Sequence, residues 1–493
     1  MDKFFEQRLI PTIQTNRGCP FTCTFCTEGG RYYNKVYKSS LERKIAEVDY
    51  IVAHIQHTQT LRITDSNFGM FTEDQDFCQH LSKMQDERGY PEYVMCSTGK
   101  NKKERVLKCN ELLHGAMRLT ASVQSLSKDV LEAVKRNNIS LDNLMFLSDE
   151  TSDTDTHAYS EVILGLPGDS VAAMSDSFEG LMDAGIGNIT QHQLALIHGT
   201  EMNNRATRAE YKLDGQFRPI QRCVGRYKFG DEEFAAVEIE EICTSSNTLS
   251  YDDYLEMRRL YLTVGMFYND RIFGEIHALL RVLDLSTFGW IKLIHQDVDN
   301  LHQEIQELYQ GFTDDTVNEL WNTRDQLIAD VSADVDRYDR GEMGGNIIYK
   351  YRSKSITEHL DALLEVAYKY LNIYLDQQGV REELAVTEIE RFARHQKLRI
   401  MDTDYEAVET FAYDLPRLLY DPSYAREGGT LGQLRNPTKL RIRHSDKQRT
   451  TIHRELKFYG DDIPGLTMMI SRYPVKRFYR RAEALDGTSA AAE

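Results

Sequence analysis

The stretch Arg17-Gly-Cys-Pro-Phe-Thr-Cys-Thr-Phe-Cys-Thr-Glu-Gly29 sets Cys19, Cys23 and Cys26 in a C-x3-C-x2-C pattern. It directly follows a β-rich run at residues 9–15, so the three thiols are expected on a loop at the end of a strand. The chain has only 8 cysteines in 493 residues, too few for a disulfide scaffold, and crowding three of them into one loop points to metal. An iron–sulfur cubane is held by Cys thiolates, and a short loop can bring three sulfurs to three irons. The fourth iron is then without a protein ligand and open to a small chelating molecule. Zinc is the competing metal, but zinc sites usually pair two short knuckles and no second knuckle follows. Cys78, Cys96, Cys109, Cys223 and Cys243 are scattered with no C-x2-C among them and read as buried thiols, which behave as small hydrophobes.

Composition bounds the rest. With 41% apolar and 28% charged residues the chain can build a sizeable core, and its length is expected to divide into more than one domain. No apolar stretch is long enough to span a bilayer. The start Met-Asp-Lys-Phe-Phe-Glu-Gln-Arg lacks the apolar core and cleavage site of a secretory signal, so a cytoplasmic protein is expected. A net charge of −18 repels nucleic-acid backbones, which makes nucleic acid a minority partner.

From residue 9 to about 196, short β-rich runs alternate with longer stretches of helical period, as in repeated βα units around a parallel sheet. Six strands are expected, at residues 9–15, 61–64, 92–97, 117–123, 158–164 and 188–196. Helix caps are expected at Ser40, Ser127 and Asp169. Six units are two short of a closed eight-fold barrel, so the fold class is α/β with a partial (β/α)6 barrel whose site lies at the C-terminal strand ends. Residues 1–200 form that core. Residues 201–250 read as an extension with one or two strands, and residues 251–434 as a helical domain, with apolar positions recurring at Leu360, Leu363, Leu364 and Ala367. Residues 332–346 break the helical period. The last segment, 435–493, is basic: residues 435–481 hold 13 Lys or Arg against 4 Asp or Glu. It is expected either to dock on the acidic body or to face an anionic substrate or an acidic electron donor.

The cysteine loop and its strand context resemble the radical S-adenosylmethionine (SAM) superfamily, in the branch related to cobalamin-dependent enzymes that methylate unactivated carbons. The resemblance spans about residues 9–260. It implies a [4Fe–4S] cluster on Cys19, Cys23 and Cys26, SAM chelated at the open iron, and Phe25 packed near the cofactor. Leu61-Arg-Ile-Thr-Asp-Ser-Asn-Phe-Gly69 ends the second strand where many relatives receive the SAM amino group, which nominates Asp65, Ser66 and Asn67. Ala121-Ser-Val-Gln-Ser125 nominates Ser122 and Gln124 for the SAM ribose and carboxylate, although small polar residues also simply finish strands. Glu161-Val-Ile-Leu-Gly-Leu-Pro-Gly168 is similar to the family's adenine-side segment and nominates Gly165 and Leu166; glycine lets main chain approach a planar ligand closely. His192 reads as a structural histidine more readily than a catalytic one, and Lys100 and Asn101 as substrate-side candidates.

The resemblance has two departures. Only 18 residues precede Cys19, whereas cobalamin-dependent relatives carry an N-terminal Rossmann-like domain, and no Asp-x-His-x-x-Gly signature is present. Cobalamin is left open as a cofactor. The implied activity is reductive cleavage of SAM to a 5′-deoxyadenosyl radical that takes hydrogen from a small-molecule, lipid, sugar, peptide or carrier-bound substrate, for C-methylation or rearrangement, with electrons from a flavodoxin or ferredoxin. A nucleic-acid-modifying radical SAM enzyme and a non-catalytic iron–sulfur protein are the alternatives.

Overall fold

The computed structural model describes residues 2–99, 101–117, 119, 122–136, 159–421, 423–473 and 475–485. The chain forms two compact units, Met1–Gly215 with Glu241–Tyr251, and Gln216–Glu240 with Asp252–Glu493.

The first unit is α/β, and its strands pair in parallel. Thr12–Ile13 pairs with Thr60–Ile63, which pairs with Tyr93–Met95. Val94 bridges in parallel to Met117, and Gln124 bridges in parallel to Val162 in the strand Tyr159–Leu164. That strand pairs in parallel with Asn188–Gln193 over six residue pairs. Spatial order therefore follows chain order through all six expected strand positions. Of the fourth, Arg118, Thr120 and Ala121 lie outside the described residues. Beyond the sixth, the strand Glu232–Ser245 adds on antiparallel: Leu196 donates its N–H to Glu241 O at 2.8 Å, and Cys243 to Leu194 O at 2.8 Å.

Alternation on the strand Tyr159–Leu164 decides which groups meet the core. Ser160, Val162 and Leu164 are buried, while Tyr159, Glu161 and Ile163 share the half-buried opposite face. The helix Leu41–His54 starts where Ser40 accepts the Arg43 N–H, as expected. The helix Val171–Asp183 starts one residue later than its sequence implies, because Ser170 is the cap. Asp169 instead turns its carboxylate back onto the Gly165 and Ser170 N–H groups. Ser127 precedes the helix Lys128–Ala133 without a side-chain cap bond.

The second unit is mainly helical. Leu360, Leu363, Leu364 and Ala367 are all buried on the helix Leu360–Gln377, so the apolar recurrence there does mark a core face. Phe267, Phe273 and Trp290 pack together nearby, their ring centroids 5.6–6.0 Å apart. The strands of this part of the chain come from two places, the 201–250 segment, where one or two were expected, and the C-terminal part, where none was. The 201–250 extension holds two long paired strands, Asp214–Phe229 and Glu232–Ser245. The C-terminal part builds a three-stranded antiparallel sheet from Glu406–Phe411, Thr438–Arg443 and Arg481–Ala484.

That sheet explains much of the basic segment. Arg441 pairs with Glu406 at 3.2 Å and Arg443 with Glu483 at 3.7 Å. Arg480 is fully buried. Its guanidinium donates to the carbonyls of His395, Leu398, Arg399 and Asp402 at 2.8–3.1 Å and lies 4.2 Å from the Tyr405 ring centre. It closes the C-terminal end of the helix Glu383–Lys397, where carbonyls lack helical partners, and is not part of the exposed basic face. No helix among the described residues is long and apolar enough to cross a membrane.

Candidate active site

The cysteine loop is pinned on three sides. Asn16 and Arg17 pair antiparallel with Lys38 and Tyr37, and the Cys19 N–H donates to Tyr33 O at 2.9 Å. Thr24 donates to Val134 O at 3.2 Å and accepts from the Met202 N–H at 2.9 Å. Two glycines make this compactness possible. Gly18 has φ +101° and a Cβ there would sit 2.2 Å from Lys35 O, while a Cβ on Gly29 would sit 2.2 Å from Cys23 O.

Behind the loop lies Asp65, nominated for SAM but differently employed. Its carboxylate accepts from the Thr15 N–H at 2.7 Å, the Asn16 N–H at 3.2 Å, Asn16 Nδ2 at 2.6 Å and the Thr15 hydroxyl. Burial raises its pKa, and those donors oppose the rise. All four donors belong to the two residues leading into the loop, so Asp65 fixes where the loop begins. Ser66 donates to the Glu28 carboxylate and ties the far end of the loop to the same strand end.

The sulfurs have polar company. Cys23 is buried and Cys19 and Cys26 are half-buried. Asn67 Nδ2 lies 3.3 Å from Cys19 Sγ, and Asn67 Oδ1 is buried without a hydrogen-bond partner. Arg136 Nη1 lies 3.9 Å from Cys23 Sγ, and its Nη2 donates to Ser122 O. Burial raises the Cys26 thiol pKa; a backbone N–H at Glu28 opposes this, and the negative charges of Glu28, Cys23 and Cys19 raise it further. A thiol held protonated in this way becomes a thiolate when a cationic centre stabilises it, as metal ligation does. Among the described residues no three His, Cys, Asp or Glu side chains converge as around a single ion. A cubane takes its thiolates at separate corners, and the donor set fits it.

From Ser122 a polar chain continues along the half-buried strand face. Ser122 Oγ donates to Glu161 at 2.6 Å, Tyr159 OH donates to it at 2.8 Å, and His192 Nε2 lies 3.4 Å from it. Burial pushes the Glu161 pKa up, but the His192 and Ser122 hydrogen bonds and the His192 charge outweigh it and hold the group at about 2. His192 is exposed and partners a carboxylate rather than filling the core. Gln124 is buried with φ +67°, uncommon for a residue with a side chain, and is held there by its N–H to Glu161 O and its carbonyl to the Ile163 N–H, both 2.8 Å. Gly165 has φ +89° and donates to Asp169, whose carboxyl burial raises to about 7. Leu166 is fully buried with Leu194, Leu196 and Met202, and Phe25 packs against that same cluster. The Leu166 side chain therefore belongs to the core and leaves only its backbone for a ligand. Asn101 is exposed, and Lys100 lies outside the described residues.

The structure thus joins Cys19 to Asn67, and Cys23 to Arg136, Ser122, Glu161 and His192 in one line of contacts. Arg136 and Glu161 were not candidates from sequence. Glu161 carried a usable signal, the one charge in a β-rich strand; Arg136 sits in a short segment after a helix and carried none.

No protein-family model matches the chain. Among curated proteins it is 27% identical to the cobalamin-dependent radical SAM methyltransferase TokK of Streptomyces tokunonensis, over 98% of this chain and 70% of that protein. It is 26% identical to the 2-(S-pantetheinyl)-carbapenam-3-carboxylate methyltransferase of Streptantibioticus cattleyicolor, over 99% and 71%. Among solved structures it matches TsrM of Kitasatospora setae, a radical SAM methyltransferase with cobalamin and a [4Fe–4S] cluster bound, at TM-score 0.37 and 13% identity over 46% of this chain and 44% of that one. It also matches OxsB, a cobalamin-dependent SAM radical enzyme, at TM-score 0.37 and 12% identity over 80% and 59%. The chain is an enzyme of the radical SAM class, methyltransferase type. Its similarity to these two methyltransferases, of which TokK is named as cobalamin-dependent, runs along nearly the whole chain.

Proposed function

We propose that Cys19, Cys23 and Cys26 hold a [4Fe–4S] cluster, that SAM binds at its open iron, and that the chain methylates an unactivated carbon of a small-molecule or carrier-bound substrate. The observation that carries this reading is the pair of donors at the thiols: the Asn67 amide on Cys19 and the Arg136 guanidinium beside Cys23. Bound there, cluster and SAM together supply a 5′-deoxyadenosyl radical, able to remove hydrogen from carbon where acid–base groups could not.

The chain's own residues bind, orient and shield. Asn67 Oδ1, orphaned beside Cys19, is placed to accept from the SAM amino group. Arg136 offers the cation that suits the SAM carboxylate. Glu161, ionised and braced by Ser122 and Tyr159, offers an acceptor for sugar hydroxyls, with Gln124 on one neighbouring strand and His192 reaching it from the other. The backbone at Gly165 and Leu166 lines the adenine side. Asp65 and Ser66 position the loop rather than touch the ligand. We place these strands in a partial barrel, whose lumen keeps water from the radical. Cobalamin is the methyl carrier proposed from the relatives, and no residue of this chain is assigned to it. The cytoplasm, where thiols stay reduced, suits such a site.

Anaerobic protein given dithionite and SAM is expected to release 5′-deoxyadenosine, and Cys23→Ala to release none. A wild-type protein that binds SAM and never cleaves it would retire the catalytic reading in favour of a non-catalytic cluster.

A further inference from the structure

A cluster of this kind works only when an electron reaches it from outside, and Arg480 of the basic tail, buried under four carbonyls, is not available to receive the donor. A second basic surface lies directly on the cysteine loop. Residues 31–38 read Arg-Tyr-Tyr-Asn-Lys-Val-Tyr-Lys. Tyr32 is 85% exposed and Tyr37 is 65% exposed, unusual for large rings that nothing covers. Arg17, Arg31 and Lys35 are exposed beside them, and none has a side-chain hydrogen bond or ion pair among the described residues. Lys38 differs, being paired with Glu73 at 2.9 Å and lying over the Phe71 ring. Glu28, the acid nearest in sequence, is occupied by Ser66.

This surface touches the metal ligands through backbone. The Cys19 N–H donates to Tyr33 O, and the Lys35 carbonyl lies so close to Gly18 that a Cβ there would stand 2.2 Å from it. One hydrogen bond therefore separates the exposed strip from a cluster-bearing residue.

Resting on the proposed function, we infer that Arg17, Arg31 and Lys35 with Tyr32 and Tyr37 form the docking surface for an acidic, low-potential one-electron donor protein. The charge pattern argues for an acidic partner. With a net charge of −18 the chain repels such a protein over most of its surface, so three uncompensated cations orient the encounter onto the cysteine loop. Exposed tyrosines add the amphipathic contact area that transient interfaces favour. In the step itself the donor is oxidised by one electron and the cluster reduced by one, with no proton moved.

The test follows reduction of the reconstituted cluster by flavodoxin hydroquinone in stopped flow, with dithionite as the small-molecule control. At low salt the charge reversal R31E/K35E is expected to slow the flavodoxin reaction by roughly tenfold or more, the milder R31Q/K35Q to fall between, and both to match wild type with dithionite. High salt should erase the difference, since screening removes steering between exposed charges. Equal flavodoxin rates in wild type and R31E/K35E at low salt would overturn the docking surface and leave the cluster reading standing. A parallel loss with dithionite would also overturn it, by showing damage to the loop. A wild-type protein that takes up no cluster would overturn the functional reading, and this surface with it.

Discussion

Asn67 donates through Nδ2 to the sulfur of Cys19 at 3.3 Å, from a side chain that is almost wholly buried and whose Oδ1 is left without a partner. A neutral donor aimed at a sulfur stabilises negative charge there, and hydrogen bonds to cluster sulfurs are among the determinants of reduction potential. Asn67→Leu is therefore expected to lower the cluster midpoint potential, by on the order of tens of mV. A redox titration followed by EPR reads this directly, and an unchanged potential would show that the contact does not persist in the loaded protein.

Asp65 gathers four donors from Thr15 and Asn16. Removing the carboxylate strands those buried donors, at a cost of about 1–3 kcal/mol. Asp65→Ala is expected to unfold at lower urea and to take up less iron per chain on reconstitution. Full iron content in a destabilised variant would separate the loop's anchoring from its metal binding.

The carboxyls of Asp169 and Glu161 predict opposite pH behaviour. Asp169 is raised from 3.8 to about 7 by burial, so between those values the folded chain keeps a proton that the unfolded chain has lost. Its contribution is present in acid and is lost as pH rises through about 7. Glu161 is depressed from 4.5 to about 2, so its contribution is present above 4.5 and is lost as pH falls toward about 2. Asp169→Asn should remove the fall in stability between about pH 4 and 7, and Glu161→Gln should flatten the acid limb below about 4.5. Urea unfolding across that range checks both.

Arg480 and Arg481 are adjacent and should respond differently. Truncating Arg480 to Met leaves four buried carbonyls without their donor and is expected to destabilise the protein clearly, a stranded buried acceptor costing about 1–3 kcal/mol. Arg481→Glu, at an exposed position, should stay within about 0.5 kcal/mol. Equal effects in chemical denaturation would contradict the buried guanidinium.

That contrast also marks how far residues alone could lead. The order of the six strand positions and the loop carrying Cys19, Cys23 and Cys26 were legible, because apolar period and cysteine spacing are local properties. Asp65, Ser66 and Asn67 were legible as a group at a strand end, but their division of labour was not: which way each side chain turns depends on Thr15, Glu28 and Cys19, some forty or fifty residues earlier. Arg136 lay beyond reach, since nothing near it in sequence marks its approach to Cys23. The C-terminal sheet was missed because its strands are short, charged and separated by helices, so alternation barely registers. The positive charge of Arg480 looked like surface for the same reason: burial by backbone carbonyls leaves no trace in composition.

Iron and labile sulfide analysis of anaerobically reconstituted protein tests the central claim most directly. About four irons and four sulfides per chain are expected for wild type, with near-complete loss in Cys23→Ala. A colourless wild-type protein holding about one zinc and no sulfide would contradict it.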